Sequence, residues 1–160
     1  MPSTTPSQLA ERLKTEGEKT VEFFQSIPTD KWTKPVYTDG EHWTIHQILT
    51  HLVQAEDSVI RLVAHVVGGG TGTPEGLDLD AYNHRKVKEL ETEAPDHLIA
   101  QFANRRARTV AFVAKLKDAD LEKLGRHAFL GMATIEEMLK TMHLHTQLHR
   151  RDIRKLLHPG

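Results

Sequence analysis

The sequence predicts an all-α fold, a four-helix bundle, from three observations. Apolar residues recur at three- and four-residue spacing in four long stretches, and no stretch carries a persuasive alternating strand pattern. A long connection, Gly68 to Ala94, separates the second stretch from the third. A connection of that length can cross the bundle and make the second and third helices parallel neighbours, an up-down-down-up arrangement. At 160 residues the chain fits one domain, 1–160, built around one core.

The first helix is expected from Pro6 to Ser26, with Leu9, Leu13, Thr20, Phe24 and Ile27 in register; Pro28 stops it and Gly17 is its weak point. The connector from Thr29 to Trp43 carries Trp32, Pro35, Tyr37 and Gly40, and the two tryptophans are expected to pack it against the bundle. Thr44 with Gln47 reads as a capping box opening the second helix. Its stripe of Ile45, Ile48, Leu49, Leu52, Val59, Ile60, Val63 and Val67 runs to Gly68-Gly69-Gly70. The glycine-rich segment that follows has the composition of a mobile loop. It lacks both the Gly-Lys-Ser/Thr ending and the preceding strand of a phosphate-binding loop. A short helix is expected over Leu79–Leu90. Pro95 opens the third long helix, through about Lys117, with Leu98, Phe102, Thr109, Phe112, Val113 and Leu116 on one side. Asp118 to Met132 reads as a second connector. Thr134 with Glu137 caps the last helix, whose stripe is Ile135, Met138, Leu139, Met142, Thr146, Ile153, Leu156 and Leu157.

Composition removes several function classes. With 21 Lys+Arg against 22 Asp+Glu, the formal net charge of −1 gives no global pull toward nucleic acid or anionic lipid. There is no cysteine, so a disulfide framework and a thiolate metal cluster are both impossible, and thiol chemistry would need a thiol from outside. Met1 to Ala10 is polar, and no stretch approaches the roughly 18 apolar residues of a membrane span. The expected location is the cytoplasm.

Histidine placement carries the functional signal. His145 and His149 are four apart, on one face of the last helix, and fall inside its inward arc on a helical wheel; His143 lies at the flank, and Leu144 and Leu148 point away. Two imidazoles stacked one turn apart on an apolar face need a shared partner, or both are desolvated without return. On the second helix His51 lies beside the stripe and Glu56 near its centre. A buried carboxylate needs a partner: a metal, a ligand imidazole or a cation, for which Arg105 on the third helix is available. The other histidines, His42, His46, His65, His84, His97, His127, His143 and His158, read as surface or packing residues, with His46 the one nearest the metal-bearing face. Arg150, Arg151, Arg154 and Lys155 read as a solvated basic end to the last helix.

The run Trp43-Thr44-Ile45-His46-Gln47-Ile48-Leu49-Thr50-His51-Leu52-Val53-Gln54-Ala55-Glu56 and the closing His145-Thr146-Gln147-Leu148-His149-Arg150-Arg151-Asp152-Ile153 resemble the DinB/YfiT-like metalloenzyme superfamily over nearly the whole chain. The resemblance implies a four-helix bundle, a homodimer, and a metal site of one second-helix histidine and a His-x-x-x-His pair on the fourth. Those positions match His51, His145 and His149. It implies zinc or nickel as the metal, and a low-molecular-weight thiol such as mycothiol or bacillithiol as cosubstrate for isomerisation or S-transfer. Leu79-Asp80-Ala81-Tyr82-Asn83-His84-Arg85 also looks like the connector of the mycothiol-dependent maleylpyruvate isomerase branch.

Three neutral imidazoles leave a coordination position open, as in catalytic rather than structural sites. On this reading Glu56 orients a ligand or moves a proton, and Asn83 or Arg105 holds a carboxylate of the thiol or substrate. The bland reading of Asn83 is a turn or capping residue. The expected partner is a small molecule, with neither nucleic acid nor membrane. Two other readings of the chain stand beside the enzyme: a non-catalytic metal- or ligand-binding stress-response bundle, and a structural protein whose histidines bond to backbone.

Overall fold

Thr5, Thr44 and Thr134 each accept a hydrogen bond from the backbone N–H three residues on, and each opens a helix. For Thr5 and Thr44 the side chains of Gln8 and Gln47 reach back to the cap N–H, completing the box. In the computed structural model, which describes residues 4–160, α1 is Pro6–Gln25, α2 is Ile45–Val67, α3 is Leu79–Glu89, α4 is Pro95–Ala114 and α5 is Ile135–Leu157. Proline occupies the first turn of both α1 and α4, where its missing N–H costs nothing.

Two short strands sit where a plain connector is expected. β1 (Leu124–His127) pairs antiparallel with β2 (Gly131–Thr134), and Gly131, at φ +75°, makes the turn. His127 Nδ1 accepts from the N–H groups of Phe129 and Leu130 inside that turn. Strands of four residues containing glycine leave no periodic signal to read. The glycine-rich segment after α2 is pinned rather than loose: Thr73 N–H donates to Arg126 O, and Arg126 N–H to Thr71 O.

The long contacts fix the topology. Thr4 bonds Glu136 and Glu16 pairs with Arg150, so α1 and α5 run parallel. His46 bonds Glu93 O and Arg106 pairs with Glu56, so α2 and α4 run parallel. His51, seven residues into α2, meets His145 near the middle of α5; Leu49 and Leu52 early in α2 share a cluster with Ile153 late in α5, and Val63 and Val66 late in α2 share one with Ile135 and Met138 at the start of α5, so those two are antiparallel. The four long helices therefore run up, down, down, up, with Gly68–Ala94 and its α3 as the crossover. The core divides in two. One apolar cluster, with Phe24, Trp32, Trp43, Leu52, Phe102 and Ile153, fills the end under the first connector. The other, with Leu9, Leu13, Val63, Val113 and Met138, fills the hairpin end. Between them every long helix contributes buried polar groups: Glu16 and Thr20, Glu56, Arg106 and Thr109, Thr146 and Arg150.

Candidate metal centre

His51 projects from the first turns of α2 and is 7% exposed, while His145 and His149, one turn apart on α5, are half-buried. Their rings meet edge to face, with centroids 4.6 to 5.4 Å apart. His145 Nε2 lies 3.0 Å from His51 Nε2 and 3.0 Å from His149 Nε2, and one ligand nitrogen from each ring lies within 4.8 Å of the others.

An imidazole nitrogen has one in-plane orbital, holding either a proton or a lone pair. His145 Nε2 therefore cannot make a well-formed hydrogen bond to both neighbours at once. Three lone pairs directed at one cation satisfy all of them together. Metal–imidazole bonds of about 2.0–2.1 Å set nitrogens that share an ion about 3 Å apart, the separation of His145 Nε2 from each of its two neighbours. The donor set therefore fits a divalent metal ion.

The rings are held neutral. Burial pushes His51 well below the ordinary imidazole range, helped by its two neighbours. Burial, then the charge of His149, lowers His145 to about 3. Burial lowers His149 to about 4 against the opposing pull of Asp152. At neutral pH the site offers lone pairs, with no proton to displace first.

Two residues outside the triad complete its surroundings. The connector between α1 and α2 folds back on itself, with Val36 N–H bonded to Trp43 O and Ile45 N–H to Lys34 O, and brings both Tyr37 and Trp43 to the histidines. The Trp43 ring lies 4.8 Å from that of His51. The Tyr37 hydroxyl lies 2.8 Å from His149 Nδ1 and donates to Asp152 Oδ2 at 2.8 Å. Burial, then the bond to Asp152, raises the Tyr37 phenol above its ordinary range. Sequence reasoning missed this pair. The available signal was Asp152 three residues after His149, on the same face.

The remaining expected site residues lie elsewhere. Glu56, 3% exposed, bonds Arg106 and Thr109, not Arg105: Arg106 Nε donates to its Oε1 at 3.0 Å and Thr109 Oγ1 to its Oε2 at 3.1 Å. One residue of helix is about 100°, and that turns Arg106 inward over the Phe102 ring while Arg105 lies to the side, along α2. Arg105 bonds Val53 O and Gln54 Oε1 and pairs with Asp57. Asn83 is half-buried on α3, which packs on α2 through Ser58–Tyr82 and Gln54–Lys86 O contacts. Among the described residues none of Glu56, Asn83 and Arg105 is hydrogen-bonded to the three histidines. Arg150 does not belong to a solvated helix end. It is buried and paired with Glu16, which also accepts from Gln147. His46 bonds Glu93 O at 2.7 Å and tethers α2 to the turn before α4. No helix among the described residues is long and apolar enough to cross a membrane.

The family model described as the DinB superfamily matches residues 12–153. No curated protein matches the sequence. Among solved structures the chain is similar to YfiT from Bacillus subtilis, described as a probable metal-dependent hydrolase with an unusual four-helix bundle topology. That match has a TM-score of 0.78 at 19% identity, covering 98% of this chain and 87% of that one. The colibactin self-resistance protein ClbS, solved with a double-stranded DNA, aligns at TM-score 0.77 and 14% identity over 98% and 97% of the two chains. The mycothiol-dependent maleylpyruvate isomerase aligns at TM-score 0.74 and 14% identity, over 93% of this chain but 62% of that longer one. At these identities the likeness is one of fold.

Proposed function

The chain belongs to the DinB superfamily, and we propose that it is a metal-dependent enzyme whose His51, His145 and His149 hold one divalent cation, zinc or nickel. We assign it a thiol S-transfer or isomerisation reaction, with an external low-molecular-weight thiol as cosubstrate and a small electrophile as substrate. The observation that carries this reading is the convergence of three neutral imidazole nitrogens, His145 Nε2 standing 3.0 Å from each neighbour, with two of the rings reachable from solvent. A cation held there supplies Lewis acidity that lowers the pKa of a thiol at neutral pH. The thiol must be external, because the chain has no cysteine. Buried His51 and its two partners bind through lone pairs, and Trp43 screens one side from water. Glu56 serves this scheme as an anchor of α2 through Arg106, its oxygens being bonded to Arg106 and Thr109. The balanced charge, −1 overall, favours a small-molecule partner over nucleic acid.

Elemental analysis of untagged protein, beside His149→Ala, tests the proposal. The expected result is stoichiometric zinc or nickel in the wild type and its loss in the variant, followed by metal-dependent conjugation of monochlorobimane with mycothiol, bacillithiol or glutathione. A wild type that takes up neither metal ends the proposal. Metal uptake with no transfer from any of the three thiols leaves a metal-binding bundle and ends the thiol assignment. Light scattering tests the homodimer that the family resemblance implies.

A further inference from the structure

We propose that Tyr37 and Asp152 are positioning residues: a directed Asp152–Tyr37–His149 chain that holds the His149 ring in the one tautomer whose Nε2 lone pair faces His51 and His145. The inference rests on the metal-centre reading above and deepens it. A phenol carries one proton. The carboxylate of Asp152 only accepts, so the 2.8 Å contact to its Oδ2 takes that proton. The Tyr37 oxygen then presents only lone pairs to His149 Nδ1, 2.8 Å away, and the contact is a hydrogen bond only if Nδ1 carries the hydrogen. A neutral imidazole protonated at Nδ1 is bare at Nε2, the atom 3.0 Å from His145 Nε2.

The placement is built by the fold rather than by α5 alone. Tyr37 comes from the connector after α1, clasped by the Val36–Trp43 pairing, and its ring stands edge-on to His149 at 6.1 Å between centroids. Packing at that position needs only a phenyl ring; the hydroxyl is what reaches both His149 and Asp152. The second oxygen of Asp152 accepts from Arg151, which steadies the carboxylate. Outer partners of this kind change metal affinity by about 10–100-fold when removed.

The test measures zinc affinity by competition with a chromogenic chelator, and separately the His149 tautomer in metal-free protein by long-range nitrogen–proton NMR correlation. Tyr37→Phe is expected to weaken zinc binding by about 10–100-fold and to abolish the Nδ1–H preference. Asp152→Asn replaces an obligate acceptor by an amide that can donate or accept, so it is expected to mix the tautomers and weaken binding by a smaller factor. Tyr82→Phe, which loses a hydroxyl bonded to Ser58 two turns along α2 from His51, is expected to match the wild type in both measurements. A Tyr37→Phe protein that binds zinc as tightly as the wild type, or that keeps His149 protonated at Nδ1, overturns the assignment. Should Tyr37→Phe not fold, unchanged affinity and tautomer in Asp152→Asn overturn it instead. If the wild type binds neither zinc nor nickel, the proposed function falls while the tautomer measurement still decides whether the chain sets His149.

Discussion

Arg106→Ala is the substitution whose cost the structure defines best. Arg106 is 4% exposed and its partner Glu56 3%, and the guanidinium also donates from Nη1 to Leu13 O, tying α4 to both α2 and α1. Removing one member of a buried pair leaves the other charge uncompensated, which costs about 3–5 kcal/mol, a large share of the roughly 5–15 kcal/mol that stabilises a domain. Replacing both members by apolar residues of similar volume removes the charge together with its partner and is often neutral or stabilising. In Glu56→Leu/Arg106→Met the other groups keep partners: Thr109 Oγ1 bonds Arg105 O, and Leu13 O retains its helical bond from Gly17. Urea unfolding of metal-free protein, followed by far-ultraviolet circular dichroism, should therefore place Arg106→Ala about 3–5 kcal/mol below the wild type and the double variant within about 1.5 kcal/mol of it. A single variant losing under about 1 kcal/mol, or a double variant no more stable than the single, refutes the uncompensated-charge reasoning.

Gly17→Ala, which in an exposed helix interior gains about 1 kcal/mol, should instead destabilise by roughly 1–3 kcal/mol in the same assay, because a Cβ there would stand 2.6 Å from Arg106 Cγ on a side chain fixed by its bonds to Glu56 and Leu13. A gain in stability would mean that Arg106 is free to move aside. The histidines set a pH dependence for the metal-free protein: their folded pKa values lie below the unfolded value, about 4 for His149 and about 3 for His145, so the unfolded chain binds more protons once the pH falls below about 6.5. Their contribution is complete above that pH and is lost as the pH falls toward 4, on the order of 3 kcal/mol for His149 alone. Unfolding midpoints at pH about 7 and about 5 should differ in the wild type and differ less in His145→Leu; equal slopes in the two proteins would contradict neutral, desolvated imidazoles.

The helices were legible because their signals are local. Thr44 with Gln47, Pro95 and the glycines after Val67 act within one turn of chain, and the helix ends fall within about three residues of the expected ones. The histidine triad was legible for a related reason: the four-residue spacing of His145 and His149 survives any arrangement of the other helices. Choices between adjacent residues were not legible. Arg105 and Arg106 both follow Phe102 at helical spacing, and only the contact with α1 and α2 selects Arg106. Arg150 continues the inward series Met142, Thr146, Ile153, yet its neighbours Arg151, Arg154 and Lys155 give it the look of an exposed cluster. Its partner Glu16 lies on α1, far away in sequence, where no local pattern can report it.

The same distinction explains where the site sits. Two apolar clusters fill the ends of the bundle, and a layer containing Glu16, Glu56, Arg106, Thr146 and Arg150 separates them. Each ion pair in that layer joins two helices, α2 to α4 and α1 to α5, and the bond from Arg106 to Leu13 O ties α4 to α1, so sliding one helix by a turn would strand a buried polar group and the layer fixes the relative heights of all four. That register matters for the histidines, because His51 and the α5 pair come from antiparallel helices and meet only if those helices stop at the right height. Helix–helix connections in bundles commonly need about 2–8 residues, and the segment from Ser26 to Thr44 is longer. Its added length carries Trp43 onto His51 and Tyr37 onto His149. A shorter connector would still close the bundle, but it would leave the outer nitrogen of His149 to water and the orientation of that ring to chance.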